Sequence, residues 1–350
     1  MARSSLAEVE KVTPKQLGRV LTESVHSGVP AMVWGPPGVG KSDVARQVSE
    51  SLGRRYIDIR ALLLDPVDLR GIPWRDESNQ TRWATPVFLP SPDEDPCLIN
   101  FDELPSAPML VQTALYQLIH DRKCGEYTLA DKHERMACGN RLTDGGGVHR
   151  MPLALRRRFV HYELETDIQD WMEWASTNDI ETEVMFFLQH RPHLLYDEHL
   201  NKEGVHSGGP TPRTWEFASR IVKSRRVNGK KNSKRTEDDL VLYQGAVGRA
   251  CAAEFIAFLG VWRSMPHPRV VLDDPHKAPI PNEPSALLAL CGSLCRYVRP
   301  ETMGSLVTYA KRIRIEVAEF LISQAGRINP DVQKTRAFVQ WATWNANSTS

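Results

Sequence analysis

The sequence has no apolar run that approaches the ~20 residues needed to cross a bilayer, which argues against a membrane protein. It also lacks an excess of either charge, since 44 Lys and Arg residues stand against 43 Asp and Glu residues. The net charge of +1 gives no reason to expect nucleic-acid binding unless a local basic patch provides it. The first 17 residues are polar, without the apolar core of a secretory signal, so we expect a cytoplasmic protein.

Cysteine is scarce, with 6 residues in a chain of 350. Only Cys291 and Cys295 lie close together in sequence, and no Cys/His pair near them completes a zinc-ligand pattern. The sequence therefore predicts isolated buried thiols in a reducing compartment, and not a metal centre or a disulfide framework.

Residues 31–164 alternate short apolar runs with helical patterns, which is typical of a parallel sheet with crossover helices. We therefore predict an α/β fold with a parallel five-stranded sheet. The predicted strands are 31–34, 56–60, 97–101, 135–139 and 159–164.

Strand patterns stop near residue 165, and helical patterns follow. We predict an α/β domain over 1–165, a helical domain over 166–265, and a proline-rich linker with a helical C-terminal extension over 266–350. Within the first domain, residues 65–90 are rich in Pro, Gly and polar side chains and are interpreted as an insertion. Residues 122–134 predict a hairpin.

A glycine-rich segment follows the first predicted strand and precedes a helical pattern that starts near Lys41. It matches the pattern G-x-x-x-x-G-K-[ST], in which backbone N–H groups wrap a polyphosphate where side chains would collide. The helix N-terminus adds partial positive charge, Lys41 would reach the terminal phosphates, and Ser42 would offer its hydroxyl to Mg²⁺. We call this segment the phosphate cradle; it consists of Gly35, Pro36, Pro37, Gly38, Val39, Gly40, Lys41 and Ser42.

Two adjacent acids, Asp102 and Glu103, end the apolar run 97–101. A buried parallel strand delivers its last residues to the carboxyl edge of the sheet, where ligands of open α/β folds bind. Asp102 could hold Mg²⁺ there, and Glu103 could orient and polarise the water that attacks the terminal phosphate. With the phosphate cradle upstream, this pair favours an ATP hydrolase over a kinase, which would need a second substrate.

The phosphate cradle, the Asp102–Glu103 pair and their order along the chain resemble the AAA+ ATPases, specifically the MoxR-like and dynein-related branch. The resemblance covers roughly residues 12–260. It implies a three-layer αβα core of the P-loop type over 1–165 followed by an α-helical lid over 166–265. It also implies that Asn140, which ends a predicted strand, is the sensor-one residue that helps to position the attacking water.

Two further arginine positions acquire a role from this resemblance. The stretch 151–159 is similar to the family segment that ends in Arg-Phe and carries an arginine finger for the ATP of a neighbouring subunit. Arg158 is the first choice for this finger and Arg157 the second, although adjacent arginines could also form a solvated helix end. Arg213, which follows Thr-Pro, resembles the sensor-two arginine that contacts the phosphates in cis.

The resemblance implies an oligomeric ring, a hexamer by family analogy, that binds and hydrolyses Mg·ATP to remodel or activate a protein partner. For the MoxR-like branch, a partner with a von Willebrand A domain is the expected kind. In related rings the loops that correspond to 65–90 and 122–134 face the central pore and touch the substrate.

Two other functions stay open at this point. A nucleic-acid motor, such as a helicase or a restriction-type translocase, is favoured by the basic segment 223–235 and disfavoured by the neutral overall charge. The absence of interleaved aromatic residues in this segment leaves bases no surface to stack on. A nucleotide-gated assembly scaffold with little turnover would also carry the phosphate cradle.

Overall fold

The computed structural model of the chain describes residues 9–144, 147–203, 208–227 and 237–348. It divides into two compact units. The first comprises Met1–Asn178 with Thr211–Thr214, and the second comprises Asp179–Pro210 with Trp215–Ser350. In the described parts of the chain, no helix combines the length and the apolar character that a membrane span requires.

A parallel sheet forms the centre of the first unit, with strand order β1-β10-β2-β9-β6-β3. Two antiparallel hairpins, β4–β5 and β7–β8, lie outside it. The strands are β1 Glu10–Val12, β2 Ala31–Trp34, β3 Arg55–Arg60, β4 Ile72–Arg75, β5 Thr81–Ala84, β6 Cys97–Asp102, β7 Lys123–Cys124, β8 Tyr127–Thr128, β9 Glu134–Gly139 and β10 Val160–Leu164.

The structure confirms the α/β class and the parallel sheet, but the predicted number of five strands is wrong because the sheet has six. The additional strand is β1, which pairs in parallel with β10 at the edge of the sheet. It has only three residues, Glu, Lys and Val, of which Val12 alone is buried. A strand so short and so polar leaves no apolar run or alternation from which it could be predicted.

Six α-helices accompany this sheet among the described residues of the first unit. The first begins at a capping box in which Thr13 and Gln16 satisfy each other's backbone N–H groups, and it ends at Gly28 in the left-handed region. The helices are α1 Pro14–Ser27, α2 Lys41–Ser51, α3 Pro66–Arg70, α4 Met109–Asp121, α5 Leu153–Arg156 and α6 Ile168–Thr177.

Strands β6 and β9 are the most deeply placed part of the sheet, since every residue in each of them is buried. Ile99 and Phe101 of β6 share a hydrophobic cluster with Leu115 and Leu118 of α4. Burial on both faces explains the mostly apolar sequence of β6 and of the part of β9 that follows Arg135. Strand β9 begins with Glu134 and Arg135, which are buried as an ion pair.

The segment 65–90 contains α3 and the β4–β5 hairpin, and the segment 122–134 contains the β7–β8 hairpin. The two segments contact each other, because the Cys124 thiol donates to the backbone oxygen of Leu69. Ile72 and Trp74 of β4 are exposed.

The second unit is helical. An aromatic cluster that includes Phe187, Trp215 and Phe255 joins helices of its first part. Gly292 packs against the Phe186 ring so closely that a Cβ atom would lie 2.6 Å from it. The helices are α7 Thr182–His190, α8 Glu198–Glu203, α9 Pro212–Val227, α10 Glu237–Val247, α11 Arg249–Ser264, α12 Pro268–Asp273, α13 Pro284–Tyr297, α14 Met303–Ala310, α15 Ile315–Ile328 and α16 Arg336–Ser348.

The proline-rich stretch after residue 266 contains α12, and its Val271 and Leu272 pack in the same hydrophobic cluster as Leu306 and Leu321. The division of the second unit into a lid and an extension stays a prediction.

The predicted single buried thiols are confirmed: all six cysteines are free and buried. Part of the basic segment 223–235 lies outside the described residues, namely Lys230, Lys231, Lys234 and Arg235. In its described part, Lys223 pairs with Asp179 and Arg225 with Asp239.

Candidate active site

The phosphate cradle, Asn140 and the Asp102–Glu103 pair all follow or end strands at the carboxyl edge of the sheet. In the sheet, β9 lies between β2 and β6. Because Asn140 directly follows β9, it stands between the cradle, which follows β2, and the acids, which end β6. The strand order therefore brings together three segments that are more than thirty residues apart in sequence.

The phosphate cradle turns directly into α2, which starts at Lys41. Its N-cap residue is Gly40, with φ 100°, so no side chain occupies the first backbone N–H groups of the helix. These N–H groups and the positive end of the helix dipole form the type of surface that binds phosphate.

The Lys41 side chain is 7% exposed and folds back over the cradle. Its Nζ donates to the backbone oxygens of Gly35 at 2.7 Å and Pro36 at 2.9 Å, and to Oδ1 of Asn140 at 2.9 Å. Burial lowers the pKa of the Lys41 ammonium below its ordinary value, and the carboxylates of Glu103 and Asp102 counteract this lowering. The ammonium is thus held by uncharged oxygens, which leaves its charge available to an anion.

Ser42 and Asp102 meet at the base of the cradle, where Ser42 Oγ donates to Asp102 Oδ2 at 3.1 Å. Asp102 is buried, and its other oxygen accepts from the backbone N–H of Glu103 at 3.0 Å. A hydroxyl and a carboxylate side by side are hard oxygen donors of the type that Mg²⁺ prefers, so these residues fit the predicted metal.

Glu103 points towards Asn140, whose Nδ2 donates to Glu103 Oε2 at 3.2 Å. The Glu103 backbone is left-handed, with φ 57° and ψ 29°, a conformation that is disfavoured for a residue with a side chain. Together with the Lys41–Asn140 bond, this contact makes Asn140 a bridge between the lysine of the cradle and the carboxylate of Glu103.

The contact of Gly139 with Pro105 determines how closely the end of β9 approaches the segment that follows β6. A Cβ atom on Gly139 would lie 2.2 Å from Cδ of Pro105, so only glycine fits at this point. Since Gly139 precedes Asn140 and Pro105 follows the acids, this contact sets the spacing between Asn140 and Glu103.

Residues Thr211–Thr214 contact the cradle as part of the first unit. The backbone N–H of Arg213 donates to the backbone oxygen of Gly38 at 3.3 Å. The Arg213 side chain is exposed. The predicted sensor-two segment therefore touches the cradle through its backbone.

We expect Gly38→Ala to destabilise the protein more than Gly40→Ala does. Both glycines have positive φ, 81° and 100°, which costs an alanine about 1–2 kcal/mol. At Gly38 the new Cβ would also lie 2.8 Å from Thr211 Oγ1, whereas nothing lies within 4 Å at Gly40. Urea unfolding should show an additional loss of about 1 kcal/mol for Gly38→Ala. Equal losses would contradict the packing of Thr211 on the cradle.

The predicted finger residues lie where α5 ends and before β10 begins. The Arg158 guanidinium donates to the Tyr116 hydroxyl at 2.7 Å and stacks over the same ring at 5.2 Å. Arg156 and Arg157 are exposed.

Arg60 at the end of β3 is a site residue that the sequence reasoning missed. It pairs in register with Asp102, and its guanidinium lies 3.6 Å from Asp102 Oδ2 and 3.1 Å from Asp58. In the sequence, its position at the end of a predicted strand was the feature that could have identified it. Only the strand order of the structure shows that β3 lies next to β6.

The parallel sheet, the cradle and the acids at its carboxyl edge define a nucleotide-binding domain of the P-loop type. Residues 30–159 match the family model of the AAA domain, dynein-related subfamily. This match covers less than half of the chain, and within it the resemblance of the motifs is confirmed.

No curated protein is similar enough in sequence to count as a relative of this chain. Among solved structures, NtrX from Brucella abortus in complex with ADP is similar at 14% identity and a TM-score of 0.41, over 93% of this chain and 66% of NtrX. The chain thus spans just under two thirds of that structure. A mutant of RuvB from Thermotoga maritima is similar at 17% identity and a TM-score of 0.40, over 80% of each chain.

Proposed function

We propose that the protein binds Mg·ATP in the phosphate cradle and hydrolyses it. The observation that carries this proposal is the continuous contact from Lys41 through Asn140 to Glu103, at 2.9 and 3.2 Å. It joins the lysine of the phosphate cradle to a carboxylate at the carboxyl edge of the sheet. Hydrolysis by an activated water needs a cation for the phosphates and a carboxylate for the water in this arrangement.

Each residue has a distinct task in this reaction. Lys41 and the first N–H groups of α2 bind the terminal phosphates and stabilise the charge that develops on them. Ser42 and Asp102 would hold Mg²⁺, which neutralises phosphate charge when it is bound. Glu103 orients the attacking water and accepts its proton, while Asn140 fixes the direction of the Glu103 carboxylate. By resemblance, Arg213 would contact the phosphates in cis.

We further propose that the active form is a ring, most simply a hexamer, in which an arginine of one protomer reaches the site of the next. Arg157 is the better placed of the two candidates because it is exposed, whereas Tyr116 holds the guanidinium of Arg158. Such an arginine would stabilise the charge on the transferring phosphoryl group.

A second observation favours contact with another copy of the chain. Several large apolar side chains are exposed just after strands β3, β6 and β9, at the edge of the sheet that carries the site. Exposed apolar side chains at one edge of a sheet support an interaction surface there. They are Leu62, Leu63, Met109, Leu110 and Leu142.

The ring is tested by mixing two inactive variants, Glu103→Gln and Arg157→Ala. An interface in a mixed ring is complete when its site comes from the Arg157→Ala protomer and its arginine from the Glu103→Gln protomer. A 1:1 mixture should therefore recover about a quarter of wild-type ATPase activity if the subunits mix at random.

The matched control for this mixture is Glu103→Gln with Arg158→Ala. If Arg157→Ala is active by itself and the pair with Arg158→Ala recovers activity, then Arg158 is the finger. If neither mixture recovers activity although both form rings, then the arginine does not act in trans.

The work done by the ring would be the remodelling or activation of a protein partner. The exposed Ile72 and Trp74 of the β4–β5 hairpin and the exposed Val87 beyond it support this, since apolar side chains on a projecting hairpin suit contact with protein. A partner with a von Willebrand A domain remains what the resemblance to MoxR-like proteins implies.

A further inference from the structure

His161 of β10 connects the strand that leads into the phosphate cradle with the turn that carries the arginines. Trp34 Nε1 donates to His161 Nδ1 at 2.9 Å, and His161 Nε2 lies 2.7 Å from the backbone oxygen of Arg156. Trp34 is the residue immediately before Gly35, and Arg156 is immediately before Arg157.

The hydrogen bonds determine the proton positions on this ring. An indole nitrogen can only donate, so His161 Nδ1 accepts and Nε2 carries the proton that it donates to Arg156. Burial lowers the pKa of His161, which favours this neutral form at neutral pH. A neutral imidazole with one fixed tautomer is required for both bonds at once.

The ring is also held by its neighbours. It lies edge to edge with the Trp34 indole and nearly coplanar with it, with centroids 6.0 Å apart and an interplanar angle of 18°, and Phe159 meets it edge-on at 6.4 Å. Phe159 N also donates to the Arg156 oxygen, at 3.4 Å. The backbone from Arg156 to His161 is thus a closed turn. Backbone pairing of β10 joins it to β2, and the His161 side chain adds a second connection, to Trp34.

We propose that His161 is a positioning residue for hydrolysis, which aligns the arginine turn 156–158 with the phosphate cradle of the same protomer. This inference rests on the proposed ATPase function and on an arginine that acts in trans. Movement of the cradle on nucleotide binding would reach the turn through Trp34 and His161. The position of the arginine that reaches the neighbouring site would then depend on the conformation of the cradle in its own protomer.

The test compares His161→Phe, which keeps an aromatic ring and loses both hydrogen bonds, with His161→Gln, whose amide offers one acceptor and one donor. We expect His161→Phe to lower kcat for ATP about tenfold through misplacement of the arginine. The Kd for a fluorescent ATP analogue should stay within about twofold of wild type, because Lys41 and the cradle are unchanged. His161→Gln should recover most of the lost kcat.

A double-mutant cycle with Trp34→Phe tests the connection itself. Trp34→Phe removes the indole donor, so its loss of kcat should not add to that of His161→Phe. Thermal unfolding and ring assembly of all four proteins separate misfolding from misplacement.

Each outcome is decisive. Normal kcat in folded His161→Phe, equal defects in His161→Gln and His161→Phe, or additive losses in the cycle would overturn the role of His161 alone. Absence of ATP hydrolysis by the wild-type ring would overturn the proposed function and this role together.

Discussion

Glu103→Gln should abolish ATP hydrolysis while ATP still binds. The amide has nearly the same shape as the carboxylate, but it cannot accept a proton from the attacking water. Asn140 Nδ2 can still donate to the oxygen of the new side chain, so the local contact at 3.2 Å survives. We expect kcat to fall by at least about 100-fold, as for the loss of a general base. Phosphate release under saturating ATP measures it.

The same variant distinguishes a hydrolase from a nucleotide-gated scaffold. It should retain ATP through gel filtration, whereas the wild-type protein should return with ADP. Glu50→Gln, which changes an exposed acid at the end of α2, is the matched control and should behave as wild type. A Glu103→Gln protein that hydrolyses ATP at the wild-type rate would remove Glu103 from the mechanism.

Lys41→Met should abolish nucleotide binding with little loss of stability. The ammonium is the cation nearest to the predicted phosphates, and we expect the Kd for ATP to rise by at least about 100-fold, equivalent to about 3 kcal/mol. Methionine keeps an unbranched side chain of similar length, so the packing beside the cradle is largely retained. Isothermal titration with Mg·ATP and with ADP measures the loss.

The stability effect of Lys41→Met has two opposing parts. The variant removes a buried charge whose pKa burial has lowered, which favours the folded state. It also leaves the Gly35, Pro36 and Asn140 oxygens without their ammonium donor, which disfavours it. We expect Tm to change by only a few degrees. Lys132→Met, at an exposed lysine, is the control. A folded Lys41→Met protein with wild-type affinity would contradict phosphate binding by this cradle.

The elements that carry the site were predictable because their local sequences largely determine their secondary structure, whatever they pack against. Strand β2 was predicted with its observed bounds, and β6 and β9 to within one residue. Burial on both faces requires the apolar runs of β2 and β6, whereas β9 has one only after Arg135. The cradle is a local structure in which glycine conformation and helix start are both encoded within eight residues. Those features could therefore be read without knowledge of the tertiary structure.

The contacts that connect these elements were not predictable. Arg60 approaches Asp102 only because β3 lies beside β6, and the capture of Arg158 by Tyr116 depends on how α4 packs near the arginine turn. Similarly, His161 looks like an ordinary strand residue until its two bonds to Trp34 and Arg156 are seen. Such pairs are set by strand order and packing, which a single sequence leaves open.

The contact between Gly139 and Pro105 has an evolutionary consequence. A side chain at position 139 would collide with the ring of Pro105. A smaller residue in place of Pro105 would leave a cavity beside Gly139. Each single replacement is therefore unfavourable, although a joint exchange of both could restore the fit. The two positions form one inherited unit, and a homologue that changes one of them should carry a compensating change at the other.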